Sequence, residues 1–485
     1  MCTRLPGICA ALLIAASGLA RAELPDGSVW LQHVQRDLLP WWLQPAAQGQ
    51  PVGRFPTFRC NDGAAYVAER PCAELKNAPD WIRSELGREY VRMQSRQIYA
   101  YAMGFHLTGE LRLLRLAQAG VQDLRERARD AQSGSFASWY EGGRPMPAVG
   151  LRNAQDLAYA GLGLAAVYYL THDPAVLDDL VRLKDHVFGS YRDGRTGLLK
   201  WAAQDDGSGE ARRDELVATL DQLNAYLILV TPALPEGALK QAWQRDIATL
   251  SRAIVEHYHD AASGRFFGTR GQPDSEKPGG RHNDFGHSVK AYWMIYLGAR
   301  LNGDEALAGF AAGGMRRLLD SAYLPRSGSW ASRALGRYEL DEGKEWWIYA
   351  ELDQALATLA LEQGDPPARL EGTWRFWLER MTDRRAGEVW GWVASDGTVP
   401  SNAVKQHHWK NGFHSMEHAL VGYLAAQGLR GQPVTLFYAL VDAAGTERLR
   451  PYVFGGTRVG QSLREVDGVA VLEVRFDLKR RSTAR

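Results

Sequence analysis

A short glycine turn recurs along this chain at nearly constant intervals and restricts the fold more than any other feature. In each copy an apolar or aromatic side chain follows within three residues of the glycine; the glycines are Gly53, Gly134, Gly197, Gly264, Gly328 and Gly387. The last five are separated by 63, 67, 64 and 59 residues, and the first interval is 81. Four have an aspartate four residues earlier, namely Asp130, Asp193, Asp260 and Asp383. Because aspartate and glycine favour turns for different physical reasons, this fixed offset indicates a repeated unit.

Each interval has room for two helices. After each turn comes a segment with apolar residues at three- and four-residue spacing: Arg96–Phe105, Leu157–Thr171, Leu216–Val230, Val289–Leu301, Trp346–Glu362 and Glu417–Ala426. More polar helices precede the turns, among them Val29–Gln44, Glu110–Arg129, Pro174–Tyr191 and Leu239–His259. We therefore expect an all-α domain at 23–430. Its twelve helices form a ring of six hairpins, with the more apolar helix of each pair inside.

The end of the chain changes character. Val434–Val441, Tyr452–Val459 and Val469–Leu478 are rich in β-branched and aromatic residues and are separated by turns rich in glycine and aspartate. Such runs favour antiparallel strands. We expect residues 431–485 to form a small C-terminal β appendage of two to four antiparallel strands, closing in a basic tail that we expect to be disordered.

The N-terminus has the pattern of a secretory signal peptide. Arg4 supplies the positive start, residues 8–20 are uncharged and largely apolar, and Ala20 and Ala22 are small residues at the cleavage positions. The apolar run is too short to span a bilayer, and no other stretch approaches the length needed. We predict a signal peptide at 1–22 and export to the periplasm or the medium. The alternative is a buried N-terminal helix.

The cysteines agree with export. Cys2 and Cys9 lie in the predicted signal peptide, so the mature chain keeps only Cys60 and Cys72, close together in a loop. A lone nearby pair in an exported protein predicts a disulfide. A zinc site would need two further ligands at suitable spacing, so we predict no metal.

Composition restricts the partners. The formal net charge is +1, so no overall field favours nucleic acid or an anionic membrane surface. The 16 Trp, 19 Tyr and 14 Phe offer flat faces that pack cores and also stack on sugar rings. The chain has no P-loop pattern and no strand–GxGxxG–helix unit, so we expect no nucleotide cofactor. The oligomeric state, monomer or dimer, stays open.

Three segments on the expected inner helices combine charged and aromatic residues: 284–293 (DFGHSVKAYW), 344–351 (KEWWIYAE) and 409–414 (WKNGFH). In the first, His287, Lys290 and Trp293 share roughly one helix face. In the second, Trp347 and Glu351 lie one turn apart. Because each segment follows a glycine turn, a ring of helices brings all three to one mouth. Charged residues on apolar helices need a partner or a function there.

These segments resemble the signature motifs of the N-acylglucosamine 2-epimerase superfamily, which includes cellobiose 2-epimerases and mannose-type aldose–ketose isomerases. The family patterns Gly-His…Trp, Trp-Trp-x-x-x-Glu and Trp-Lys-x-x-x-His match Gly286–Trp293, Trp346–Glu351 and Trp409–His414 in order. Upstream, Ser95–Tyr101 and Asp156–Tyr159 resemble two further family helices. The likeness covers roughly residues 26–430 and implies an (α/α)6 barrel.

The resemblance implies a sugar 2-epimerase or aldose–ketose isomerase that works through an enediolate, with no metal and no cofactor. It makes His287 and His414 the acid–base pair, and Arg96 the group that stabilises the enediolate oxygen. We expect the sugar contacts to be Tyr99, Asp156, Asn224, Lys290, Trp293, Trp347, Glu351 and Trp409. Histidine suits proton transfer in both directions because its ordinary pKa lies near working pH.

Two positions depart from the family pattern. The family has a carboxylate three residues after the first catalytic histidine, where this chain has Lys290. We expect Lys290 to pair either with a substrate carboxylate, such as that of a uronate, or with Glu351, because buried charges find partners. The sixth helix carries Asn, His and Glu in the family; here it offers Asp221 and Asn224 and no histidine.

Other interpretations of the same residues stay open. The tryptophans also suit plain core packing. We expect His407 and His408 at the rim, and His257 and His259 at the surface. A metal site made of His407, His414 and Glu417 is a further alternative.

Other activities also stay open, because a fold does not fix function. A glycoside hydrolase or polysaccharide lyase would use opposed acids, for which Asp156 and Glu351 are the candidates. A non-catalytic carbohydrate-binding protein would use the aromatic residues and the β appendage.

Overall fold

The structure is a computed structural model that describes residues 24–209, 211, 213–269, 280 and 282–478, excepting the side chains of residues 443 and 444. The predicted signal peptide at 1–22 and the basic tail at 479–485 lie outside the described residues.

Twelve long helices of the described chain form the barrel and are numbered here in chain order. They are α1 (27–42), α2 (Val91–Thr108), α3 (111–128), α4 (Ala154–Thr171), α5 (Pro174–Ser190), α6 (216–230), α7 (Ala238–Tyr258), α8 (Phe285–Asn302), α9 (Glu305–Ala322), α10 (Trp346–Gln363), α11 (368–381) and α12 (Gly412–Leu429). Four of them, α1, α3, α6 and α11, contain a wider π turn, at His33–Leu38, Leu124–Ala128, Leu223–Leu227 and Trp377–Met381.

The even-numbered helices form a closed inner ring. Each packs against the next, and α12 returns to α2. In α8 every residue from Phe285 to Ala299 is buried, whereas its neighbour α9 buries only one face. The predicted all-α (α/α)6 barrel, with the more apolar helix of each pair inside, is therefore confirmed.

The glycine turns join each outer helix to the next inner helix. Gly134, Gly197 and Gly387 have φ of 73°, 75° and 89°, in the left-handed region that glycine tolerates best. At the first of these, Asp130 Oδ1 accepts a hydrogen bond from the backbone N–H of Ser133 at 2.8 Å, as the recurring aspartate predicted. Since every such turn leads into an inner helix, all six inner helices begin at the same end of the barrel. That end is the mouth.

One apolar stretch is longer than the sequence analysis allowed. Leu216–Ala233, which is α6 and the short turn after it, has the length and hydropathy of a membrane span. However, 89% of it is buried inside the barrel. This is typical of a core helix, because a helix that is apolar all round lies in the interior of a large protein.

The C-terminal part forms a three-stranded antiparallel sheet of β1 (Val434–Tyr438), β2 (Gly456–Val466) and β3 (Val469–Leu478), in the order β1-β3-β2. Val434 pairs with Phe476 and Gly456 with Leu478. The strand expected at Tyr452–Val459 begins only at Gly456. Tyr452 has φ of 60°, which a strand does not allow.

Cys60 and Cys72 form the predicted disulfide, with their Cα atoms 5.9 Å apart. The loop that it closes leads to Trp81, whose ring meets the rings of His407 and His408 edge-on, at 5.1 and 5.5 Å between centroids. The disulfide therefore closes a loop just before a segment that contacts the two histidines.

Candidate active site

The barrel interior contains a belt of six buried polar residues, one from each inner helix. Each is the sixth residue of its helix: Arg96, Tyr159, Asp221, Lys290, Glu351 and Glu417. Because all six helices begin at the mouth and rise equally per residue, equal positions lie at equal depth. None of the six is more than 4% exposed. We call this set the polar belt.

His287, the third residue of α8, lies one turn nearer the mouth than the belt. Its Nδ1 lies 2.7 Å from Asp284 Oδ2, and its backbone N–H donates to Asp284 Oδ1, also at 2.7 Å. Asp284 therefore caps the helix and fixes the imidazole at the same time. With Nδ1–H donating to the carboxylate, the neutral ring presents the lone pair of Nε2.

Burial lowers the pKa of His287, and the Asp284 carboxylate partly opposes this. Burial alone would raise the pKa of Asp284, but the charge and hydrogen bonds of His287 lower it to about 2. At neutral pH the pair is therefore a carboxylate beside a neutral imidazole. This is the arrangement of a general base.

His414, the third residue of α12, lies at the same depth as His287. The Trp347 indole is a neighbour of both imidazoles, with ring centroids 4.6 Å from His287 and 6.3 Å from His414. Burial lowers the pKa of His414 well below its usual value, and the positive charges of Arg96 and Lys290 lower it further. His414 is therefore also neutral at working pH.

Glu351 lies below His414, with its Oε1 3.8 Å from His414 Nδ1. Burial raises the pKa of Glu351 well above its usual value, against the pull of Lys290. Within the described part of the chain neither oxygen of Glu351, nor Nδ1 of His414, has a hydrogen-bond partner. Buried polar atoms rarely stay unpaired, so this pair indicates a place where a ligand or water binds.

Arg96 lies in the belt with its charge close to the histidines. Its Nη1 donates to the carbonyl oxygen of Trp409 at 2.6 Å, and its guanidinium lies 4.0 Å from the centre of the Tyr159 ring. Its Nε has no partner among the described residues. A fixed guanidinium with a free N–H is suited to stabilise a developing oxyanion.

Lys290 pairs with Asp221, so the alternative pairing with Glu351 is wrong. The Lys290 Nζ lies 2.6 Å from Asp221 Oδ1, and Gln155 Nε2 donates to the other oxygen at 2.8 Å. Burial alone would lower the pKa of Lys290, but Asp221 raises it above its usual value. Asp221 on α6 and Glu351 on α10 are both belt residues of helices next to α8, and only the packing of the barrel decides which of them Lys290 contacts.

Asp156 has neither oxygen free for a sugar, which corrects its expected role. Arg92 Nη1 donates to Oδ1 at 2.6 Å, and Asn153 Nδ2 donates to Oδ2 at 2.8 Å. The Arg92 guanidinium in turn lies 3.9 Å from the centre of the half-buried Trp409 ring. Asp156 therefore supports Trp409 through Arg92, and it is not available as one of two opposed catalytic acids.

Tyr99, Asn224 and Trp293 lie below the polar belt, which corrects their expected sugar contacts. With Glu417 and Tyr452 they line a cavity of about 10 Å³, counted as the space open to the centre of a water molecule. This volume holds about one water. A sugar at the histidines does not reach these three side chains unless the belt opens.

The remaining histidines differ from expectation. His407 and His408 are buried, at 0% and 5% exposure, and not at the rim. Among the described residues, three side chains lie close enough together to share a metal ion: Cys60, Cys72 and Glu74. The two sulfurs of this group form the disulfide, and the alternative metal site at His407, His414 and Glu417 is not among such groups. His257 and His259 are half-buried.

Several residues of the site were not predicted from the sequence, although most of them follow a pattern that the sequence contains. Asp221, Glu417 and Tyr159 occupy the same sixth helical position as Arg96, Lys290 and Glu351, so aligning the helix starts would have found them. Asp284 is the N-cap of α8, and its spacing of three from His287 is the usual spacing of a capping side chain. For Tyr452, neither a helix position nor a capping spacing in the sequence indicated a place in the site.

The chain is similar to known sugar epimerases. The family model described as N-acylglucosamine 2-epimerase (GlcNAc 2-epimerase) matches residues 75–415. The cellobiose 2-epimerase of Bacteroides fragilis is 23% identical over 344 residues, which cover 67% of this chain and 84% of that protein.

Solved structures share the fold. The cellobiose 2-epimerase of Spirochaeta thermophila has a TM-score of 0.66 at 19% identity, over 82% of this chain and 96% of that chain. A D-mannose isomerase has a TM-score of 0.65 at 15% identity, over 82% and 97%. A GH76A α-1,6-mannanase from Salegentibacter is more distant, with a TM-score of 0.52 at 13% identity, over 83% and 99%. Since the family model matches well over half of the chain, this protein is an enzyme of the N-acylglucosamine 2-epimerase family.

Proposed function

We propose that this enzyme inverts C2 of a sugar with two bases: His287 or His414 removes the C2 proton from one face, and the other histidine returns a proton to the opposite face. The observation that carries the proposal is the placement of two neutral imidazoles at equal depth beside the same Trp347 indole, one turn above a belt of buried polar groups. Two bases and a shared aromatic wall are what proton removal from one face of a sugar and return to the other require.

The first step starts from the open-chain aldose. His287 Nε2 removes the proton from C2, and the C2–H electron pair forms the C1–C2 double bond of an enediolate. The carbonyl π electrons pass to O1, where negative charge develops. Arg96 stabilises that oxyanion, because its guanidinium is already fixed by Trp409 and Tyr159.

The second step returns a proton. Because the pKa of Glu351 is raised and that of His414 lowered, a proton of this pair lies on Glu351 in the resting enzyme. Passing it to His414 allows that imidazole to protonate C2 from the opposite face, which gives the epimer. Delivery to C1 instead, with transfer of the O2 proton to O1 so that C2=O2 forms, gives the ketose.

The substrate that fits best is a neutral sugar. The Lys290 ammonium is neutralised by Asp221 at 2.6 Å, so it offers a uronate carboxylate no free charge. A neutral β-linked disaccharide such as cellobiose is the first compound to test, since a relative is a cellobiose 2-epimerase.

We also propose that the enzyme is exported, to the periplasm or the medium. The Cys60–Cys72 disulfide supports this, because such bonds persist in oxidising compartments. N-terminal sequencing of the protein from cell fractions tests it. A mature chain beginning at Glu23 is the expected result, and an intact N-terminus in the cytoplasm is the contrary one.

Deuterium uptake at C2 tests the catalytic proposal. The enzyme is incubated in heavy water with cellobiose, mannose or glucuronate, and loss of the C2–H signal is followed by NMR together with the appearance of epimer or ketose. Exchange with the neutral sugars is expected. Release of new reducing ends without exchange would establish a hydrolase instead, and binding with neither reaction a carbohydrate-binding protein.

A further inference from the structure

The C-terminal part enters the barrel from the end opposite the mouth. Residues 449–454, which we call the strap, run from β1 towards β2, and Leu449, Tyr452 and Phe454 are buried there. The Tyr169 hydroxyl accepts from the backbone N–H of Tyr452 at 2.8 Å and donates to the carbonyl of Arg450 at 2.5 Å. The strap lies outside the residues that the family model matches.

Tyr452 extends from the strap to the polar belt. Its hydroxyl donates to Glu417 Oε1 at 2.5 Å, and the Tyr99 hydroxyl donates to Tyr452 at 2.8 Å. Gln354 Nε2 donates to the second oxygen of Glu417 at 3.3 Å. Tyr452 has φ of 60°, a conformation that costs a non-glycine residue energy and persists where surrounding contacts impose it.

We propose that Tyr452 is a positioning residue of the sugar site: its hydroxyl fixes the Glu417 carboxylate beneath His414. The strap therefore contributes to catalysis by holding this hydroxyl in place. This inference rests on the proposed function for its catalytic readout. It adds to that function a residue from outside the family match.

Glu417 and Glu351 compete for a proton beneath His414. Glu417 lies one turn from His414 on α12, and burial raises its pKa to about 7, against the hydrogen bonds from Tyr452 and Gln354. Glu417 in turn raises the pKa of Glu351. The two donors therefore favour ionisation at Glu417 and retention of the proton on Glu351, next to His414.

Other charged groups face this pair from every side. Those inside the barrel are Arg96 and Tyr99 on α2, Asp221 on α6, Lys290 on α8 and His414 on α12 itself. Outside the barrel, α1 faces α12 with His33, close to the His418–Asp353 pair. Tyr452→Phe leaves all of these charges unchanged and removes only the hydrogen bonds of one hydroxyl, to Glu417 and from Tyr99.

Tyr452→Phe is the test, and Tyr438→Phe is the matched control. The Tyr438 hydroxyl donates to Arg450 at 2.6 Å, so the control also deletes a strap hydrogen bond without touching Glu417. In Tyr452→Phe, Glu417 loses a donor and its pKa rises, and Glu351 shares less of the proton. A more ionised Glu351 then raises the pKa of His414. We expect the acid limb of the kcat profile to move up by about one pH unit with KM unchanged.

A second readout does not depend on turnover. The hydrogen on the imidazole Cε1 of His414 exchanges for deuterium at a rate that depends on the protonation of the ring. Measuring this exchange across pH by mass spectrometry of the His414 peptide reports the pKa of that imidazole directly. Its midpoint is expected to rise in Tyr452→Phe and to stay at the wild-type value in Tyr438→Phe. Equal midpoints in all three proteins, or equal shifts in both variants, overturn the proposal. If the wild type turns over no sugar, the proposed function fails, and this readout still decides the role of Tyr452.

Discussion

The Nζ of Lys290 lies 2.6 Å from Oδ1 of Asp221, and both side chains are buried. The two positions at which the chain departs from its family are therefore partners. The ammonium on α8, which stands where the family pattern has a carboxylate, is matched by a carboxylate on α6, so the two charges compensate within the belt.

Asp221→Asn should destabilise the protein by about 3–5 kcal/mol, because it leaves the Lys290 ammonium buried without a counter-charge. Asp221→Asn combined with Lys290→Met should cost less than Asp221→Asn alone. Urea unfolding followed by circular dichroism measures both. The exposed Asp178–Arg182 pair is the control, and Asp178→Asn should change stability by less than about 1 kcal/mol. A double variant less stable than the single one contradicts the pairing.

Asp284→Asn should lower kcat by about 100-fold or more, because asparagine no longer fixes the His287 tautomer that presents the lone pair of Nε2, while the fold is kept. Asparagine still caps α8, so stability should change little. Because the Asp284 charge raises the pKa of His287, its removal should also move the acid limb of the rate profile to lower pH. Steady-state kinetics across pH measures both effects. Unchanged kcat would show that Asp284 is only a helix cap.

Stability should fall on mild acidification because of His106. This side chain joins α2 to the sheet through Nδ1 and the carbonyl of Phe437, at 2.9 Å, and burial lowers its pKa to about 4. The unfolded chain takes up the proton near pH 6.5 but the folded chain does not. The free energy of unfolding is therefore undiminished above pH 6.5 and falls by about 3 kcal/mol between pH 6.5 and 4.

His106→Gln should flatten that dependence while leaving the unfolding transition cooperative. Denaturant titrations of both proteins at several pH values compare the slopes. Other buried histidines with a lowered pKa, among them His172 and His408, act in the same direction, so some slope remains in the variant. Identical slopes in the two proteins would contradict the assignment to His106.

The barrel could be predicted from the sequence because the repeat that encodes it is local. Glycine turns at fixed spacing and the contrast between polar and apolar helices are properties of neighbouring residues, and both reappear in the structure. The same holds for His287, Arg96 and His414, which lie near one end of the barrel because each is in the first two turns of an inner helix.

What failed depended on contacts between distant segments. The partner of Lys290 comes from α6, and no periodicity relates the rotation of α6 to that of α8. His407 and His408 were expected at the rim by helix geometry, but they lie in the loop before α12, where that geometry does not apply. Tyr452 looked like a strand residue because tyrosine favours strands. Its left-handed backbone is imposed by the barrel above it.

The central claim is that His287 and His414 act on opposite faces of C2, and isotope loss from the two epimers tests it most directly. Each epimer, labelled with deuterium at C2, is incubated separately with His287→Asn and with His414→Asn. Each variant should lose epimerisation. It should still exchange the C2 deuterium for solvent hydrogen in the epimer whose C2 deuterium faces the remaining histidine. The two variants should prefer opposite epimers. Epimerisation that persists in either variant, or the same preference in both, would contradict the two-histidine account.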